Sequence, residues 1–266
     1  MRDLPRLSVD LDLSFLPMKD RAQSLAEMDA TLGRISATIT RAIPGAVTQQ
    51  SGATPGERTK LLVTRDGVGV KVEVSPVLRG AVGQPEVRDV CPAVESQFGY
   101  VEMPLLHHND LYAGKLCAAL DRQHPRDLFD VKLLLENEGI GDDLLSVFVV
   151  YLISGNRPLA EMIAPQFQPL EAVFDAQFKG MTKQPISVAE LEDARCILVD
   201  LIQGRLTDAQ RKFLLSFKQG EPEWPLLSVP GAEHLPAVQW KLINIRRMTK
   251  TKHAAAAEKL KTILFG

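Results

Sequence analysis

The chain has 266 residues, 45% of them hydrophobic and 24% charged, with a formal net charge of −2 at pH 7. That composition excludes a disordered or low-complexity protein and is ample for a core without covalent staples, in one large or two modest domains. So small a net charge supplies no global field toward nucleic acid, and no apolar run approaches the ~18 residues that cross a bilayer.

Residues 7–15 alternate strictly, with Leu7, Val9, Leu11, Leu13 and Phe15 against Ser8, Asp10, Asp12 and Ser14, which predicts a strand closed by Pro17. Residues 19–43 follow as a helix with Leu25, Leu32, Ile35, Ile39 and Ile43 near helical spacing, ended by Pro44-Gly45. A hairpin comes next. Leu61-Leu62-Val63 leads into Asp66-Gly67, a favoured two-residue turn, and Val68, Val70, Val72 and Val74 return as far as Pro76. Residues 80–107 read as irregular, with one short extended piece at 98–103. From there the period is helical: 109–121, then 125–135 opened by Pro125, then 142–154, 187–203 and 207–218. The last two begin with capping boxes, Ser187 with Glu190 and Thr207 with Gln210. A Pro/Gly-rich connection at 219–236 precedes helix at 237–264. The expected organisation is an α/β module over 1–138 followed by an all-helical module over 139–266.

The opening residues do not form a signal peptide, and Leu144 to Ile153 is an apolar stretch too short to span, read as a buried helix. Cys91, Cys117 and Cys196 are odd in number and far apart, so neither a disulfide framework nor a zinc site is expected, and a reducing cytoplasm is the expected setting. Charge is uneven, because residues 241–261 carry seven Lys or Arg against Glu258 alone. That run is equally consistent with a solvated helix face and with a contact to RNA backbone.

Asp10 and Asp12 stand two apart on one strand face, roughly 7 Å from each other at ~3.3 Å per residue. Asp is disfavoured in strands, so two on one polar face call for a reason. A hard divalent cation supplies one, since it takes oxygen ligands and leaves positions open for phosphates; an incidentally acidic edge strand is the alternative. Glu73, in V-K-V-E-V, is a candidate third carboxylate or else a surface residue paired across the hairpin. In K-L-C-A-A-L-D-R-Q-H-P-R-D-L-F-D (115–130), Lys115 and Arg122 share a helix face and Asp127 falls in the first turn of the next helix. A Lys reaching a triphosphate and an Asp beside metal ions would suit nucleotide transfer. Arg126, Asp127 and Asp130 are also consistent with an exposed helix start.

Taken together, R-L-S-V-D-L-D-L at 6–13, the later strand acid and K-L-C-A-A-L-D-R…R-D-L-F-D resemble the AbiEii family, with F-L-L-S-F…E-W-P-L-L…W-K-L-I-N-I at 213–245 resembling its C-terminal end. These are the nucleotidyltransferase toxins of type IV toxin–antitoxin systems, related to the MenT toxins. The resemblance implies a polymerase-β-type nucleotidyltransferase fold, with Asp10 and Asp12 as metal ligands, Glu73 as a third carboxylate, Lys115 on the triphosphate and Asp127 completing the site. It puts Arg6 and Ser8 near the phosphates, together with Arg122. It further implies Mg²⁺ (or Mn²⁺) as cofactor, an NTP as substrate, RNA (the tRNA 3′ end) as acceptor and a cognate antitoxin as partner. The family also carries a Gly-Gly or Gly-Ser turn and a helix shortly before R-x-S-x-D, and only five residues precede Arg6 here. The expectation is therefore a late start or a natural truncation, with a weakened nucleotide site. The same loss would uncover the apolar face of the first strand and favour a homo-oligomer.

Other signals are weaker. His107, His108 and His124 lack a partner set at metal spacing and are expected to cap helices or face solvent. Trp224 and Trp240 are expected to pack rather than stack on bases. No G-x-S-x-G, Walker A or G-x-G-x-x-G motif occurs, which speaks against hydrolase, P-loop and dinucleotide readings. Two rivals to RNA nucleotidylation remain at this point: the same chemistry on a small molecule or protein, and a catalytically inactive binding protein.

Overall fold

A computed structural model describes residues 5–8, 10–52 and 56–266. The chain is mixed α/β and divides into two compact units, one formed by Ser8–Gly80 with His234–Trp240, the other by Met1–Leu7, Ala81–Glu233 and Lys241–Gly266. Their boundaries fall at 7/8, 80/81, 233/234 and 240/241 rather than at 138/139.

The first unit holds β1 (Asp10–Phe15), α1 (Arg21–Ala42), β2 (Val47–Gly52), β3 (Arg58–Arg65) and β4 (Val68–Arg79). The sheet order is β1-β4-β3-β2, with β1 parallel to β4 and the other pairs antiparallel. A parallel pair needs a long crossover, and α1 supplies its bulk. Asp20 starts α1 by accepting from the Gln23 amide at 2.9 Å. Leu25, Met28 and Leu32, at i, i+3 and i+7, then settle on Leu61, Val72 and Val74 of β3 and β4. Each such burial contributes about 1.5–3 kcal/mol. Asp29 ties α1 to β3 by accepting from Arg58 through Nε (2.5 Å), Nη2 (2.8 Å) and the backbone amide (2.9 Å).

Asp66 and Gly67 both take positive φ (50° and 79°), as the two-residue turn requires. Two expectations need correction. The polar strand β2 carries no hydrophobic alternation and was not foreseen. β4, moreover, runs through Pro76 to Arg79. Pro76 is tolerated because the β1–β4 register shifts there, between Leu13 and Phe15, while Ser75 Oγ accepts from the amides of Val77 (3.3 Å) and Leu78 (3.0 Å). Of the strand expected at 7–15, Val9 lies outside the described residues, and Leu7 and Ser8 are not in strand. Its apolar face is only partly covered: Leu11 is 50% and Leu13 40% exposed. The reason is geometric, since α1 packs on β2, β3 and β4 while β1 forms the far edge.

The second unit contains β5 (Glu86–Asp89), α2 (Pro92–Phe98), β6 (Glu102–Leu105), α3 (His108–Arg122), α4 (Pro125–Asn137), α5 (Asp142–Ser154), α6 (Leu159–Ile163), α7 (Glu171–Gln177), α8 (Val188–Arg205) and α9 (Asp208–Gln219). After α10 (Pro236–Arg246), whose first residues belong to the other unit, α11 (Lys250–Phe265) ends the chain. β5 and β6 pair antiparallel within the segment expected to be irregular, and α6 and α7 are too short for a period to reveal. Nearly every residue of α5 from Leu144 to Ser154 is buried, so α5 is a central helix without a polar face. α3 packs on α5, α4 on α8 and α11 on α9.

One buried polar group in this core is fully engaged. Asp110, 1% exposed, accepts from the amides of Val82 (2.7 Å) and Gly83 (2.8 Å) and from the Tyr151 hydroxyl (3.0 Å). Both expected capping boxes form, at Ser187–Glu190 and Thr207–Gln210. Trp224 packs on Phe213 and Phe217, with ring centroids 5.4 and 6.3 Å away, in keeping with a packing role. Among the described residues, no helix is long and apolar enough to cross a membrane.

Candidate active site

Two groups of charged side chains carry the residues singled out from the sequence, one in each unit. In the sheet unit, parallel pairing puts Asp10 beside Lys71 and Asp12 beside Glu73, on the sheet face opposite α1. The antiparallel β3 sets Lys60 beside Glu73 from the other side. Lys71 Nζ lies 3.4 Å from Asp10 Oδ2 and 3.3 Å from Glu73 Oε2, and Lys60 Nζ lies 2.9 Å from Glu73 Oε1. Lys60, foremost, holds the Glu73 carboxyl below the usual range, with Lys71 adding to it against the opposing effect of burial. Burial alone would lower the Lys71 pKa, but Glu73 and Asp10 together outweigh it and raise it.

The three-carboxylate cradle expected from Asp10, Asp12 and Glu73 is thus not assembled. Among the described residues, no three His, Cys, Asp or Glu side chains gather closely enough to hold a metal ion. The physical reason is that β3 and β4 each place a lysine in register with an acid, so Glu73 spends its charge on ammonium groups. Asp10 and Asp12 remain on one face, both reachable by solvent. Ser8, just before β1, is exposed.

In the helical unit, Pro5–Leu7 runs antiparallel to residues 181–183: the Leu7 amide donates to Met181 O and the Lys183 amide to Pro5 O, each at 2.9 Å. This anchors Arg6 against α4. Its guanidinium donates two bonds to Asp130, Nε to Oδ1 at 2.6 Å and Nη2 to Oδ2 at 2.7 Å, and Lys115 from α3 donates to the same Oδ2 at 2.5 Å. Asp130 is 3% exposed, so the idea that it belongs to an exposed helix start is corrected. Burial alone would raise its pKa, yet Arg6 and Lys115 bring it below the usual carboxylate value. The bond to Asp130, with a smaller contribution from Asp127, in turn raises the Arg6 pKa against burial.

Asp127, one turn earlier on α4, accepts from Arg122 Nη2 at 2.8 Å through Oδ1. Its buried Oδ2 has no hydrogen-bond partner among the described residues. A buried carboxylate oxygen left open in this way is costly unless something is bound there. The sequence therefore pointed to Arg6, Lys115, Arg122 and Asp127, and missed the anion that organises two of them. The only available signal was the i, i+3 spacing of Asp127 and Asp130, which does not say which faces the interior. His107 and His124 are helix caps, accepting from the amides of Asn109 (3.3 Å) and Arg126 (3.1 Å). The three cysteines are free thiols.

The family model described as "Nucleotidyl transferase AbiEii toxin, Type IV TA system" matches residues 1–244. Among solved structures the chain is similar to MenT4, a nucleotidyltransferase toxin from Mycobacterium tuberculosis H37Rv. The identity is 16% and the TM-score 0.55, over 90% of this chain and 78% of that one. At that identity the likeness is one of fold. No curated protein matches the sequence. With the family model spanning nearly its whole length, the chain belongs to the AbiEii family of nucleotidyltransferase toxins from type IV toxin–antitoxin systems.

Proposed function

We propose that this nucleotidyltransferase transfers a nucleoside monophosphate from an NTP to RNA, with the 3′ end of tRNA as acceptor, in a Mg²⁺- or Mn²⁺-dependent reaction. The observation that carries the reading is the pair Asp10 and Asp12 on one solvent-reachable face of β1. Two hard carboxylates with open positions beside them suit Mg²⁺, which is ordinarily held by one or two carboxylates, substrate phosphates and water. When bound, such an ion would neutralise charge on the phosphates as the acceptor attacks.

In this reading Asp10 and Asp12 hold the metal, and Glu73 positions Lys60 and Lys71 rather than serving as a ligand. Arg6 and Lys115, fixed by Asp130, offer two cations to the triphosphate, with Arg122 and the Ser8 hydroxyl as further donors. Within the helical unit, Asp127 adds its open Oδ2 to this group. The acceptor hydroxyl oxygen bonds the α-phosphorus and gives up its proton to water, the bond from the α-phosphorus to the bridging oxygen breaks, and pyrophosphate leaves. The exposed Arg246, Arg247, Lys250, Lys252, Lys259 and Lys261 hold RNA backbone. Family membership also implies an antitoxin that opposes the activity.

Incubation with α-labelled NTPs, Mg²⁺ and total RNA tests the reading. Label in the tRNA band supports it. Label in protein or a small molecule transfers the chemistry to another acceptor, and no label at all overturns the activity of the chain.

A further inference from the structure

We propose that Lys71 is a tethered cation that occupies the acidic face of the sheet until a divalent metal displaces it, so that metal and NTP bind cooperatively. The inference rests on the reading of Asp10 and Asp12 as metal ligands. Its basis is placement: Lys71 is the register partner of Asp10 and sits two residues before Glu73 on the same face. Its ammonium bridges Asp10 Oδ2 (3.4 Å) and Glu73 Oε2 (3.3 Å).

A metal held by Asp10 at ~2.1 Å and an ammonium against the same carboxylate compete for one space and one charge. Lys71 is able to yield. Its side chain is 39% exposed, and a flexible four-carbon stem lets the charge swing away without moving the backbone. Glu73 is no rival for the metal, because Lys60 engages it from β3. Once displaced, the Lys71 ammonium needs a new anion, and a triphosphate supplies one. Metal alone must therefore leave the lysine without its anion, whereas metal arriving with nucleotide brings a replacement. That difference is a coupling between the two ligands, and it must be reciprocal.

The test measures Mn²⁺ affinity of the full chain by electron paramagnetic resonance, with and without an α,β-methylene NTP that cannot be cleaved. Lys71→Met is expected to bind Mn²⁺ alone about two- to fivefold more tightly than wild type, within the range that so exposed an ion pair supports. It should also lose most of the gain that the nucleotide analogue brings. Lys71→Arg keeps the competing cation and should behave as wild type. Lys60→Met, which removes a cation touching only Glu73, should leave the affinity near the wild-type value. The proposal is overturned if Lys71→Met binds no more tightly than wild type. It is equally overturned if Lys60→Met tightens binding as much, since net charge alone would then explain the effect. The double variant Asp10→Asn, Asp12→Asn separates the two levels of inference. If it binds Mn²⁺ as wild type does, the metal assignment itself fails; if it loses binding while Lys71→Met is unchanged, only the role of Lys71 fails.

Discussion

Replacing Asp130 with alanine removes the anion that Arg6 and Lys115 share, and the loss should be large. The carboxylate is 3% exposed, while Arg6 is 10% and Lys115 24% exposed. Removing one member of a buried pair costs about 3–5 kcal/mol, because the remaining charge stays desolvated. Lys115 can turn toward water more readily than Arg6, so the lower end of that range, about 3 kcal/mol, is expected. At roughly 2–4 °C per kcal/mol for a body of this size, the melting temperature should fall by roughly 6–12 °C. Asp130→Asn keeps the volume and removes only the charge, and it should fall by less. The effect has a pH signature. The folded Asp130 pKa lies below the unfolded value of ~3.9, so its stabilisation is fully present above that value and fades as pH falls through the folded one. Thermal unfolding followed by circular dichroism from pH 7 down to pH 2 should show the gap between wild type and variant closing below about pH 4. The reasoning is refuted if Asp130→Ala melts within about 1 °C of wild type at pH 7, or if the gap survives unchanged to pH 2.

Three further outcomes are expected. Asp10→Ala should abolish nucleotide transfer while lowering stability by no more than about 1 kcal/mol, since its pair with Lys71 is solvent-reachable; retained transfer or an unfolded variant would sink the assignment. Neutralising Lys250 and Lys252 should flatten the log–log salt dependence of RNA binding by up to one or two units, at roughly 0.7–0.9 per phosphate contact, whereas an unchanged slope would leave an ordinary exposed helix. Lys241 donates to the carbonyls of Gly155 and Arg157, and burial, with Lys218 adding to it, lowers its pKa to about 8. Because the unfolded lysine keeps its proton to a higher pH, wild type should gain stability relative to Lys241→Met as pH rises from about 8 toward 10; a pH-independent difference in melting temperature would count against this.

Much of the fold was legible because local rules dictated it. The strand carrying Asp10 and Asp12, the Asp66-Gly67 turn and the capping boxes at Ser187 and Thr207 are properties of a few neighbouring residues, and all appear in the structure, the strand over Asp10–Phe15 only. What escaped notice lacked such local marks. β2 (V-T-Q-Q-S-G) has no apolar period, because its sheet neighbour and α1 supply its order. Pro76 reads as a strand end, yet a register shift lets β4 continue past it.

The sequence by itself determined the residue types available for the chemistry and the faces on which they stand: two aspartates on one strand face, Lys115 and Arg122 on one helix face, Asp127 at a helix start. It did not determine which charge meets which. Arg6 and Asp130 are 124 residues apart, and only the pairing of Pro5–Leu7 with residues 181–183 brings them within 2.6 Å. Glu73 looked like a third metal ligand until strand register put Lys60 and Lys71 against it. Helix and strand periods arise from backbone geometry repeated over neighbours, so a sequence displays them directly. The energy of an ion pair depends on separation and burial in space, and those exist only once the chain has folded.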